Sequence, residues 1–214
     1  MINGKRMAMI MILLFILSNL LAIIDIPLLE PCGSGAKVEA ANIIVDEGGG
    51  QDHQSIQDAI DAANPGDTIL VYNGSYNETI LVNKTVTLIG NGTENTIIDG
   101  EGKGSTVMNI TANGVNVSGF NVRHTGLGGD MAGILIYGAK NCKIENNNCS
   151  YNVLGIGLIN ASNNTLANNT LIFNFWGVYL HSSANNTIEN NSFSSNFFGL
   201  SVNLSYNNLI INNT

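Results

Sequence analysis

The sequence predicts an all-β solenoid with coils about 22 residues long, closed at its N-terminal end by one short helix. Three observations carry this. The stretches "GILIYGAKNCKIENNNCSYNVL", "GIGLINASNNTLANNTLIFNFW" and "GVYLHSSANNTIENNSFSSNFF" follow one another directly, each 22 residues long, each beginning with Gly and each placing Asn-Asn in the same late column. Ile144, Leu166, Ile188 and Ile210 recur at that interval, after longer spacings of 29 residues from Leu88 to Val117 and 27 from Val117 to Ile144. Finally, 34 of the 214 residues are asparagine and only 11% are charged, so the chain cannot build helix faces from ion pairs and is rich in a poor helix former.

The elements follow in order. Lys5 and Arg6 precede an apolar run from Met7 to Ile24, and "VEAAN" offers a small-residue cleavage site after Ala40. Residues 1–40 therefore read as a signal peptide or an uncleaved N-terminal anchor, and both send the remainder out of the cytoplasm. Membrane contact is expected only through this segment. Residues 41–68 form an N-terminal cap. "NIIVD" is a strand, and Ile56, Ala59, Ile60 and Ala63 give a helix over 55–63 an apolar stripe. Ser55 with Asp58 resembles a capping box, and Asn64-Pro65-Gly66 ends the helix. Residues 69–214 make the solenoid. Its last coil stops at "LIINNT" without a polar cap, so a docking chain is expected at that end, or a truncated product.

Numbered from its Gly, each coil repeats its apolar residues in columns. Column 2 holds Ile134, Ile156, Val178 and Leu200, column 12 the four landmarks above, and column 17 Cys149, Leu171 and Phe193. Column 15 holds Asn147, Asn169, Asn191 and Asn213. The earlier coil places Phe120 there, so the column faces inward. A buried amide left unsatisfied costs about 1–3 kcal/mol. Stacked about 4.8 Å apart, each amide can instead donate to the next, forming a structural ladder at a corner. Asn169→Ala should then cost about 1–3 kcal/mol, and Asn168→Ala, read as facing solvent, under about 0.5.

Cys142 and Cys149 are the two cysteines of the exported part. They either pair as a disulfide or fill columns that elsewhere carry Asn164 and Leu171, and their spacing leaves both open. Among the Asn-X-Ser/Thr sequons, Asn73, Asn77 and Asn91 lie in early loops open to glycosylation, whereas amides in inward columns are closed to it.

The net charge of −8 excludes a nucleic-acid partner. If columns 20, 2 and 4 face in, columns 21, 3 and 5 face out. They carry Phe175 and Phe197, Tyr179, and Tyr137 with His181. This aromatic strip suits a polysaccharide or a cell-surface component. The alternative is a bend near Gly177 that turns some of these rings inward with Trp176 and Phe198. No catalytic residue is assigned. The acids of the three complete coils, Glu145 and Glu189, stand two coils and about 10 Å apart, at the outer limit for a glycosidase pair. Asp99 and Asp130 read as turn formers. No cofactor or metal site is assigned either. His53, His124 and His181 are scattered, and only His124 and Met131 flank an insertion where ligands could converge.

The segment "IQDAIDAANPGDTILVYNGSYNETILVNKTVTLIGNGTENTIIDG", with "NVSGFNVRHTG" and "NNTIENNSF", resembles the right-handed parallel β-helix of pectin-lyase-like proteins. Within them it is most similar to the NosD-type short-repeat branch of bacterial periplasmic and archaeal surface proteins. The resemblance implies carbohydrate binding or processing in many members and copper-site maturation of nitrous oxide reductase in the eponymous one. Fold does not fix function. Together the readings favour a secreted or cell-surface, non-catalytic scaffold or carbohydrate-binding module. A carbohydrate-active enzyme, whole or in fragment, and a copper-maturation protein are the alternatives.

Overall fold

The structure, a computed structural model, describes residues 39–126 and 131–214. The signal or anchor segment lies outside the described residues apart from its last two. The cap begins with the strand Asn42–Val45 and a helix, Ile56–Ala62, one residue shorter at each end than its sequence pattern. Ser55 caps the helix, its Oγ accepting from the Asp58 N–H. The Glu78 carboxylate accepts from the N–H groups of Ile56 at 2.8 Å and Gln57 at 3.1 Å, so an acid from the first coil satisfies the first turn. Ile56, Ala59 and Ile60 are buried against the core.

Asp67 ties the cap to the chain leaving it. Its two carboxylate oxygens accept from the N–H of Ala41 and of Asn64, both at 2.8 Å. These bonds hold the carboxyl below its ordinary range. Such a group stabilises the fold fully above its unfolded pKa, near 3.9, and loses that contribution as pH falls through the lower folded value. Denaturant titrations should show flat stability from pH 7 to 5 and a decline below about pH 4. Asp67→Asn should weaken that decline, and an unchanged acid profile would contradict the assignment.

From Thr68 onward the chain winds into right-handed coils. Three parallel sheets run along the solenoid, one of eight strands and two of six. The long sheet starts at the cap strand and ends at Thr165–Ala167, Thr187–Glu189 and Leu209–Ile211. The second includes Ala132–Tyr137, Leu154–Ile159 and Trp176–His181, the third Asn148–Ser150, Thr170–Ile172 and Ser192–Ser194. The eight strands of the long sheet count about eight turns. The column register is as the sequence spacing predicts: Ile134 pairs with Ile156, Ile144 with Leu166 and Cys149 with Leu171. One contiguous core runs from Val45 and Ile56 to Leu180 and Ile188. In the last coil Leu204, Tyr206, Leu209, Ile210 and Ile211 are exposed.

Corners obey one rule. A residue in the left-handed region breaks the strand, and the next residue turns its side chain inward. Asn146, Asn168, Asn190 and Asn212 have φ between 55° and 56°, and each precedes a member of column 15. The inward amide meets a need of the corner backbone, whose N–H no longer finds a strand partner. Asn169 Oδ1 accepts from the backbone N–H of Asn147 at 3.1 Å and from its Nδ2 at 3.2 Å. Asn169 Nδ2 donates to Ile144 O at 2.8 Å and to Asn191 Oδ1 at 3.0 Å, and Asn191 repeats the pattern with Asn213. Two further series behave likewise, through Asn164, Asn186 and Asn208, and through Asn152, Asn174 and Asn196.

Cys142 and Cys149 are free and buried, which overturns the disulfide alternative. Cys142 sits at the corner before Lys143–Glu145, its Sγ donating to Ala112 O at 3.4 Å. Cys149 lies mid-strand in the third sheet, between Val122 and Leu171. The thiols enter the core from a corner and from the third sheet, with Ile144 and Asn147 between them in the chain. Desolvation pushes both pKa values up, that of the completely buried Cys149 most strongly.

Candidate functional site

A groove follows the corner between the third and second sheets. The left-handed position of this corner is taken by His124 (φ 60°), Tyr151 (57°), Phe173 (55°) and Ser195 (53°) in successive coils. The other corners mostly use Asn, Gly or Ser there, Leu204 being a bulky exception. Asparagine tolerates φ > 0, whereas a large side chain pays about 1–2 kcal/mol. The strained rings form a stack: His124 to Tyr151 at 5.6 Å between centroids, and Tyr151 to Phe173 at 5.3 Å. Two residues on, Phe175 and Phe197 stack at 4.9 Å with an 11° interplanar angle. Between the two rows the floor is Asn152, Asn174 and Asn196. A cavity of about 730 Å³ is lined by these amides and the rings of Tyr151, Phe173, Phe175 and Phe197, with Val153, Ser195 and Gly126. Asn152 Oδ1, buried in that floor, has no hydrogen-bond partner among the described residues. The first amides of the other two ladders, Asn147 and Asn164, each accept from a backbone N–H of the preceding coil, that of Phe120 and of Cys142, whereas Asn152 meets no such donor beside Thr125.

Tyr151 and Gly126 also line an adjoining cavity of about 530 Å³ with Asn77, Asp99, Glu101, Gly102 and His124. Its centre is Asp99, whose carboxylate accepts from Arg123 Nε at 2.9 Å, faces His124 Nδ1 at 3.0 Å and accepts from the Glu101 N–H at 2.8 Å. Burial alone pushes the Asp99 carboxyl up, but the Glu101 amide, Arg123 and His124 outweigh it and hold it below the ordinary value. Asp99 is therefore an ionised hub as well as a turn residue. The groove runs from a charged end to an apolar one.

The predicted aromatic strip divides in two. Phe175 and Phe197 are in the groove, 44% and 71% exposed, and the bend does not turn them inward. Trp176 and Phe198 also stay outside the core, stacked at 5.9 Å. Tyr137, Tyr179 and His181 lie on the outer face of the second sheet. There Tyr179 packs with Trp176 against a separate apolar cluster of Ala132, Leu135 and Leu154, and His181 stacks on Tyr179 at 6.3 Å. Columns 21, 3 and 5 face outward as alternation predicts, and Trp176 departs from it where Gly155 and Gly177 leave a gap in the pairing between Leu154–Trp176 and Ile156–Val178. Tyr151 and Phe173 were missed because the turn has no period of two. Their shared column with His124 was the available signal.

Glu145 and Glu189 remain two coils apart with Ala167 between, and Glu145 pairs with Lys143 at 2.8 Å. Asn73, Asn77 and Asn91 are exposed. The Asn91 Nδ2 donates to Asn73 Oδ1 at 2.7 Å, so that amide is already engaged.

The family model described as "Periplasmic copper-binding protein (NosD)" matches residues 60–214, and the chain belongs to this family. It is an extracytoplasmic right-handed β-helix. A cell surface glycoprotein of Methanothermus fervidus is 38% identical over 94 residues, covering 43% of this chain, which spans only 15% of that relative. Among solved structures, the chain resembles an alginate lyase from Paenibacillus sp. str. FPU-7 (TM-score 0.61, 14% identity, 81% of this chain and 75% of that one). It also resembles a pectin methylesterase from carrot (TM-score 0.55, 16% identity, 74% and 54%). At these identities the likeness is one of fold.

The described residues offer copper no assembled donor set. Among the described residues no three His, Cys, Asp or Glu side chains converge to hold an ion. His124 has its Nδ1 engaged by Asp99, and both thiols are buried. Residues 127–130, the insertion between His124 and Met131, lie outside the described residues.

Proposed function

We propose that this chain is a non-catalytic surface module that binds a polysaccharide segment along the groove, one stretch of sugar spanning several coils. The observation that carries this reading is the strain at Tyr151 and Phe173. Bulky rings occupy a backbone region that asparagine fills elsewhere, and costly conformations of this kind persist where a surface is used. Flat apolar rings suit the C–H faces of pyranoses. The amides and hydroxyls between them suit hydroxyl groups, the mixture typical of small-molecule clefts.

Phe173→Asn separates binding from folding. It restores the residue that the other corners use, so melting temperature should hold or rise while affinity in a glycan array falls at least tenfold. Loss of stability with unchanged glycan binding would reject the site, as would an array on which the parent protein binds nothing. A second reading, a carbohydrate-active enzyme, draws on the Asp99–His124 pair, in which a carboxylate orients an imidazole at the groove's end. It requires release of reducing ends or unsaturated products from a polysaccharide, abolished by His124→Gln.

A further inference from the structure

We infer that the outward asparagine of a corner pair is an N-glycan attachment site where a sequon includes it, and that Asn168, Asn190 and Asn212 form a row of them. The row lies on the corner between the long and third sheets, away from the groove, so the inference stands apart from the binding reading. Each of the three is exposed and makes no side-chain hydrogen bond among the described residues. The partner in each pair is the opposite case. Asn169 is 1% exposed, as is Asn191, and the Nδ2 of each donates to two oxygens.

The sequence divides along the same line. Asn168-Asn-Thr170, Asn190-Asn-Ser192 and Asn212-Asn-Thr214 are sequons, each with its hydroxyl residue on an outward position. Two residues beyond Asn169 and Asn191 stand the inward Leu171 and Phe193, so neither of these ladder amides is the acceptor of a sequon. Alternation along the strand thus offers the free amide to a transferase and withholds the structural one. The chemistry requires a donor oligosaccharide linked to a polyisoprenyl phosphate. The asparagine Nδ2 attacks the anomeric carbon, the bond from that carbon to the lipid phosphate oxygen breaks, and the lipid phosphate leaves as the amide proton passes to a base of the transferase. A sugar on Asn168 breaks no protein hydrogen bond, whereas one on Asn169 would displace its bonds to Ile144 and Asn191. The matched relative is described as a surface glycoprotein, which agrees in kind.

The test is glycopeptide mass spectrometry on the protein isolated from the cells that make it. Hexose-bearing additions are expected on one or more of Asn168, Asn190 and Asn212, and none on Asn169, Asn191 or Asn213. Thr170→Ala should remove any sugar at Asn168 and leave the melting temperature unchanged. Bare asparagine at all three outward positions, or sugar on a ladder residue, would overturn the inference, whatever the glycan array shows for the groove.

Discussion

Asn169→Ala should destabilise the solenoid by about 3 kcal/mol, lowering its melting temperature by about 6–12 °C. The magnitude follows from counting orphans. Without the carboxamide, the backbone N–H of Asn147 loses its partner inside the core, and the carbonyl of Ile144 loses the donor it has beyond its strand pairing. Asn147 Nδ2 keeps its bonds to Val117 O and Glu145 O, and Asn191 Oδ1 keeps the Asn169 backbone N–H, so those two groups add little. Each buried orphan is worth about 1–3 kcal/mol. The neighbouring Asn168 behaves differently from its sequence-based expectation. It does face solvent, but at φ 55° a Cβ without asparagine's local tolerance is strained, so Asn168→Ala should cost about 1 kcal/mol rather than under 0.5. Asn168→Gly should be nearly neutral. Urea unfolding of the three variants checks the order, and equal losses at 168 and 169 would contradict the register of inward and outward members.

Gly177→Ala should be at least as damaging, by about 3 kcal/mol. A Cβ built there lies 2.4 Å from the Gly199 carbonyl oxygen and 2.6 Å from Phe193 Cδ1. At Gly155 the same atom meets Gly177 O at 2.5 Å. Backbone oxygens cannot yield, so the coils must separate at the corner, an overpacking of the costly kind. Gly157 is the control. Its added Cβ would approach only the ends of the Leu135 and Leu154 side chains, each at 3.1 Å, which can shift. Gly157→Ala should cost about 1 kcal/mol, and comparable losses at 157 and 177 would contradict the close approach.

These glycines mark what could be read from the sequence and what could not. The repeat showed that a Gly begins each coil, and the apolar columns showed which residues stack, because a parallel coil places like on like. Ile144 over Leu166 and Asn147 over Asn169 needed only the period. The reason for Gly155 and Gly177 needed coordinates, since neither has positive φ and the constraint is a carbonyl in the next coil. The same gap in pairing hid the candidate site. Alternation carried from Asn174 through Phe175 to Tyr179 merges two surfaces that the unpaired Gly177 separates. The ladders at Asn164 and Asn174 escaped notice. Cys142 interrupts the Asn164 column within the complete coils, whereas Asn152, Asn174 and Asn196 fill theirs and were legible from the same period that showed column 15. The charged end of the groove was hidden further, because Asp99 meets Arg123 and His124 across a spacing that differs from 22 residues.

The inward corner amides are locked between coils, and hydrogen exchange of the asparagine side-chain NH₂ groups measures this directly. In NMR spectra of the folded protein, the side-chain protons of Asn147, Asn169, Asn174 and Asn191 should exchange slowly, as core groups do, while those of Asn163, Asn168, Asn185 and Asn190 exchange at the rate of free amides. Exchange at Asn169 and Asn191 as fast as at Asn168 and Asn190 would contradict it.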